Sequence, residues 1–179
     1  MRVIENPVSG EQIVIRQSAS DTDGALLSFD LYLPPGTKVP AAHAHPSQEE
    51  AFTVVEGTMR FRVGRRRFVA GPGDTVRVPP GTSHWFGNES TQTAHARVEA
   101  RPALRLEEFF AANEALKCRS IAGRQVPLLT ALAAVLLRYE AEVRAPLVPH
   151  WLFRAVLAVP AWFGRRGPRQ PSVACAPHS

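Results

Sequence analysis

Cysteine is scarce in this sequence: Cys118 and Cys175 are the only two in 179 residues, far apart, with Cys175 in a Pro/Ser-rich tail. That scarcity excludes a disulfide framework and a Cys-rich metal site, and it fits a reducing compartment. Long hydrophobic runs are missing too, since no stretch reaches the ~18 consecutive apolar residues of a membrane span. The opening Met1-Arg2-Val3-Ile4-Glu5-Asn6-Pro7 lacks the apolar run of a secretory signal, so a cytoplasmic protein is expected. The front of the chain has no charge of one sign: residues 1–102 carry 11 basic and 11 acidic side chains, and the whole excess of +5 falls in 103–179. A neutral front gives no electrostatic reason for a nucleic-acid partner, and the one basic cluster, Gly64-Arg65-Arg66-Arg67, reads as a solvated hairpin turn. No internal repeat and no helix-turn-helix signature is present, which argues against a transcriptional sensor of the usual arrangement.

What is there is an ordinary globular composition, 45% apolar and 21% charged, in a length that fits one domain with an appendage. Sixteen prolines and 12 glycines break the chain often, and nine of the glycines fall in the first hundred positions, as short strands joined by tight turns require. Leu27, Phe29, Leu31 and Leu33 share one parity, and Met59, Phe61 and Val63 another, which is the period of half-buried strands. Pro34-Pro35-Gly36, Glu56-Gly57-Thr58, Gly71-Pro72-Gly73-Asp74 and Pro79-Pro80-Gly81 punctuate them at the spacing of a sandwich or barrel. On the last strand the small set Ala94, Ala96, Val98 and Ala100 is expected to face inward, with His95, Arg97 and Glu99 outward. Near Pro102 the period changes to that of helices. Leu104 to Leu116 predicts a short one, and Pro127 is read as the first residue of a second, striped by Leu128, Leu132, Leu136, Tyr139 and Val143. A third apolar segment, Trp151 to Phe163, is expected to be interrupted at Pro160. The expected division is a barrel over 1–102, a helical extension over 103–167 and a disordered tail over 168–179.

The segment His43-Ala44-His45-Pro46-Ser47-Gln48-Glu49-Glu50 carries the chemistry. Residues two apart on a strand point to one side, so His43 and His45 form a ligand pair, and a bend at Pro46-Ser47 brings Glu50 back while Glu49 points outward. A second segment runs from Gly73 through the Pro79-Pro80-Gly81 turn to a strand on which His84, Phe86 and Asn88 share a side. Three imidazoles and one carboxylate suit a divalent first-row metal with open positions beside it.

These segments resemble the two motifs of the cupin superfamily, G(X)5HXH(X)3,4E(X)6G and G(X)5PXG(X)2H(X)3N. The second matches throughout, at Gly73, Pro79, Gly81, His84 and Asn88; the first matches from His43 through Gly57, with Gly36 one position early. The resemblance implies a mainly β fold, the cupin jelly-roll (double-stranded β-helix) barrel, here followed by C-terminal α-helices. It also implies that His43, His45, Glu50 and His84 hold the metal: Fe, Mn, Ni, Co or Zn. The function implied is a metal-dependent reaction on a small organic molecule, dioxygenase- or oxygenase-like. The alternatives are a non-redox isomerase, epimerase, decarboxylase or cyclase, and a non-catalytic ligand-binding or regulatory module.

Glu50 is the candidate catalytic base. Phe52, Phe61 and Phe86 are candidates for an apolar substrate wall, or for plain core, and Asn88 either lines the cavity or bonds the local turn. The extension is too apolar to be left in water, and its cover is the outer face of the barrel, a second subunit or a lipid surface. Protein contact, with a homodimer first, is the expectation.

Overall fold

A computed structural model describes residues 2–39, 41–116, 118–121, 124–127, 129–145 and 150–166. Nine strands form the front: β1 Val3–Glu5, β2 Gln12–Gln17, β3 Leu27–Leu33, β4 Glu49–Glu56, β5 Met59–Val63, β6 Arg66–Ala70, β7 Thr75–Val78, β8 His84–Gly87 and β9 Ala94–Arg101. All pairings are antiparallel, in one sheet of order β1-β2-β3-β9-β4-β7 and a second of order β6-β5-β8. The arrangement is the cupin fold that the motifs imply.

The alternating parity explains the packing. Leu27, Phe29, Leu31 and Leu33 are all buried, as are Ala94, Ala96, Val98 and Ala100 of the adjacent β9. The two sheets meet through aromatics: the Phe52 ring on β4 lies 5.5 Å from Phe61 on β5 and 5.1 Å from Phe86 on β8. On the outward side of β3, Asp30 is covered by Arg16, His95 and Arg97, whose side-chain nitrogens lie close to its carboxylate. The turn between β4 and β5 depends on Gly57, whose φ of +72° suits glycine and whose added Cβ would lie 3.0 Å from Ala94 Cα.

Behind the strands come α1 Leu106–Glu114, the hairpin β10 Cys118–Ile121 and β11 Arg124–Pro127, α2 Leu129–Arg138 and α3 His150–Arg166. Three sequence readings are corrected here. The hairpin interrupts the stretch expected to be helical, and Pro127 ends a strand instead of opening a helix; both positions tolerate the missing N–H. Helix α2 stops at Arg138, so Tyr139 and Val143 belong to the following turn. Helix α3 runs through Pro160 unbroken; the carbonyl that loses its partner is that of Val156, a residue 61% exposed. Leu128 and the tail 168–179 lie outside the described residues.

Phe110 of α1 packs edge-on against Phe29 at 5.2 Å, α2 packs on α3, and the turn after α2 crosses back to the strands. Tyr139 holds that turn, buried against Phe109 at 5.8 Å with Arg105 and Arg138 over its ring. Residues 139–145 then form a strap whose end pairs with the ligand segment: Ala44 N–H donates to Arg144 O and Arg144 N–H to Ala44 O, both at 3.0 Å. Gln48, within the same segment, donates its side-chain amide to Pro102 O at 2.8 Å and Ala103 O at 2.9 Å, clamping the start of the extension.

Candidate metal centre

Backbone pairing sets the directions of the four ligands. His43 N–H donates to His84 O at 3.0 Å and His84 N–H to His43 O at 2.8 Å, which places two of the imidazoles across one narrow bridge. Gly81 N–H donates to His45 O at 2.7 Å, so the Pro79-Pro80-Gly81 turn braces the second histidine. Glu50 enters from β4, between Val78 of β7 and Ala100 of β9. The result is one cluster in which a ligand atom from each of His43, His45, Glu50 and His84 lies within 4.8 Å of the others. Glu49, one residue earlier, points outward and pairs with Arg77 at 3.0 Å.

Each imidazole is held by its other nitrogen. His43 Nδ1 donates to Ala41 O at 3.2 Å, His84 Nδ1 to Thr82 O at 3.2 Å, and His45 Nδ1 to Glu142 O at 2.7 Å. A carbonyl only accepts, so each ring carries a proton on Nδ1 and, when neutral, presents the Nε2 lone pair to the cluster. His45 and His84 Nε2 stand 3.2 and 3.0 Å from Glu50 Oε2. Neither approach has hydrogen-bond alignment, and all three atoms are buried without a hydrogen-bond partner. Burying such groups unsatisfied is costly unless something else bonds them, and a divalent cation shared by the four ligands does so. The donor set and its tautomers fit a metal of the first transition row.

The protonation behaviour of the metal-free cluster follows from the same crowding. Burial first, then the neighbouring imidazoles, pushes His43 down to about 3. Burial would lower His45 as well, but the Glu50 carboxylate outweighs it and holds His45 above the ordinary imidazole value. Burial would raise Glu50; the charges and hydrogen-bonding capacity of His45 and His84 overcome it, and its carboxyl lies well below the usual range.

The cluster opens on a cavity of about 290 Å³. His43, His45 and Glu50 line it, with Phe52 and Phe86 from the strands. The facing wall comes from the extension: Phe109 and Phe110 of α1, Leu132 and Leu136 of α2, Phe153 of α3 and the strap. Two residues named from sequence stand elsewhere. Phe61 is packed in the core behind Phe52, and Asn88 is fully buried, its amide donating to Leu33 O at 2.9 Å and Gln92 O at 2.6 Å to close the turn after β8. The contact the sequence reading missed is that of Glu142 O with His45. A backbone carbonyl leaves no residue-type signal, although the apolar stripe of α2 had already announced that this region covers something.

The comparisons agree with this geometry. Residues 29–98 match the family model described as a cupin domain. Among solved structures, the chain is similar to a predicted oxalate decarboxylase from Thermotoga maritima, at 21% identity and a TM-score of 0.50 over 56% of this chain and 90% of that one. It is similar also to the cupin domain of Cnp3 from Schizosaccharomyces pombe, at 12% identity and a TM-score of 0.50 over 60% of this chain and 72% of that one. At these identities the likeness is one of fold. TT1209 from Thermus thermophilus is 26% identical with a TM-score of 0.45, over 50% of this chain and 81% of that one. Among curated proteins nothing matches.

Proposed function

Since residues 29–98 are a cupin domain, we propose that the chain is a metal-dependent enzyme acting on a small organic molecule, of the dioxygenase or oxygenase type. The observation that carries this reading is the set of buried, unpartnered atoms His45 Nε2, His84 Nε2 and Glu50 Oε2, with His45 and Glu50 on the wall of the cavity. A bound divalent metal supplies Lewis acidity there and, if redox-active, a path for electrons between substrate and dioxygen. The protein's own part is to hold three imidazoles in one tautomer, to keep water from the cavity with α1, α2, α3 and the strap, and to offer Glu50 as the carboxylate that takes up a substrate proton.

Metal exchange tests the reading. The metal-free chain is loaded with Fe(II), Mn(II) or Zn(II) and assayed against carbonyl, phenol and carboxylate substrates in air and under argon. Turnover with iron in air alone is the expected result. Turnover with zinc under argon overturns the oxygenase type in favour of a non-redox isomerase or lyase, and tight ligand binding with no turnover under any condition favours a binding module.

A further inference from the structure

The geometry points to an apolar monoacid as the substrate class: an aromatic or alkyl body with one anionic oxygen head, and not a sugar or sugar phosphate. This deepens the proposed function and rests on the metal reading for the position of the head.

Size comes first. A dry cavity of ~150 Å³ takes up benzene, and this one is about 290 Å³. A ligand of roughly ten to fourteen non-hydrogen atoms is the scale that follows. Chemistry comes second. Among the described residues the wall holds no serine, threonine, tyrosine, glutamine or lysine, and most of it is Phe, Leu, Ile, Val and Ala. A sugar carries a hydroxyl on nearly every carbon, and each one left without a partner in such a chamber costs affinity.

The polar side chains that do reach the wall are mostly occupied by the chain itself. Asn6 accepts from Val8 N–H at 3.0 Å and donates to Glu11 at 3.1 Å, and Asn113 donates to Phe109 O at 3.0 Å. Glu11 is the exception: its Oε2 is buried with no hydrogen-bond partner, and burial pushes its carboxyl upward. It offers one hydrogen bond to a single polar substituent on the ligand.

Charge comes third. Arg144 is the one arginine or lysine on the wall among the described residues. Its backbone pairs with Ala44, between the ligands His43 and His45. Its Nε donates to Glu140 O at 2.7 Å, and its two terminal nitrogens carry the remaining donors. A single arginine on the wall, on a residue whose backbone pairs between two of the metal-ligand candidates, matches a carboxylate or enolate oxygen head; a phosphate dianion generally draws on a larger set of cations and backbone N–H groups.

Isothermal titration of the zinc-loaded full chain tests this. The ligands are 3-phenylpropanoate, octanoate, 3-phenylpropanamide, glucose and ribose 5-phosphate. The two acids are expected to bind at least tenfold tighter than the amide, glucose or the sugar phosphate. Leu132→Asn and Leu136→Gln, each checked for fold by circular dichroism, should each weaken 3-phenylpropanoate at least fivefold, and Arg144→Gln should erase the preference for acid over amide. Binding of ribose 5-phosphate or glucose as tightly as the acids overturns the class, and so does a zinc-loaded chain that binds neither acid. If zinc itself does not load stoichiometrically, the metal reading fails separately. The same titration on the metal-free chain then decides the class by whether the acids still bind tighter than the sugars.

Discussion

Residues 2–101 and residues 103–166 wall the same cavity by different means. In the first region the strand period sends alternate side chains inward, and the cavity-facing Phe29, Leu31, Phe52 and Phe86 are at most 8% exposed. In the second, Leu132 and Leu136 of α2 face the cavity while Leu129 is 74% exposed, and on α3 the same division separates Phe153 from Trp151, 71% exposed. Strand register gives each ligand a fixed direction, and all four metal-ligand candidates sit in the strand region. Among the described residues the helical region holds no ligand side chain, yet it contributes the carbonyl that orients His45 and nine of the 23 residues that line the cavity. The candidate ligand side chains thus come from one stretch of the chain, while the cavity wall is drawn from both.

The sharpest way to break this comparison is to remove a ligand. His84→Ala, at a fully buried position, is expected to lower metal affinity more than about a hundredfold while the far-ultraviolet spectrum stays near wild type, because the core is built by Phe, Leu and Val. Metal content after dialysis checks it; retained stoichiometric metal would remove His84 from the set. Next comes the strap. Arg144→Pro deletes the N–H that bonds Ala44 O, loosening Glu142 from His45, and metal affinity should fall about 10- to 100-fold. Arg144→Ala, which keeps that N–H, should lose far less. If the two variants behave alike, the helical region has no part in holding the metal.

Proton competition is smaller. His45, raised by Glu50, holds a competing proton up to a higher pH than an ordinary imidazole does, whereas His43, down at about 3, has none to lose near neutrality. Metal affinity should therefore decline as the pH falls through the His45 value, by up to about tenfold per pH unit for one proton displaced. Titration with a competing chelator across pH 6 to 8 reads the slope, and a flat profile would contradict a protonated His45. The smallest effect is that of Glu49→Gln, which cuts an exposed ion pair with Arg77 worth about 0–1 kcal/mol and should leave metal binding within twofold. Glu50→Gln, measured beside it, should weaken binding clearly.

Much of this was legible in the residues because a strand has a period of two. His43 with His45, Glu50 with Phe52, and the inward alanines of β9 all follow from counting parity. Counting failed where a strand ended sooner than the pattern did. Asn88 keeps the parity of His84 and Phe86, but β8 stops at Gly87 and the chain turns, so its amide goes to Leu33 and Gln92 carbonyls and not to the cavity. Phe61 has the right parity on the wrong strand for the cavity, one layer behind Phe52. In the helical region, hydrophobicity announced that Leu132, Leu136 and Phe153 had to be covered, but it is non-directional and does not say by what. The cover is decided by the strap, whose backbone pairing with Ala44 depends on no particular side chain.

The contact between His45 and Glu142 spans 97 positions of sequence, and that distance bears on the order in which the molecule assembles. Hairpins such as β1–β2 and β5–β6 close over a few residues and form early, whereas a contact of such separation must wait for a large loss of chain entropy. During synthesis the strands also leave the ribosome before the strap exists. Three imidazoles and a carboxylate that come together at that stage would still be uncovered, and a cation would reach them from solvent before the helices and the strap close over them.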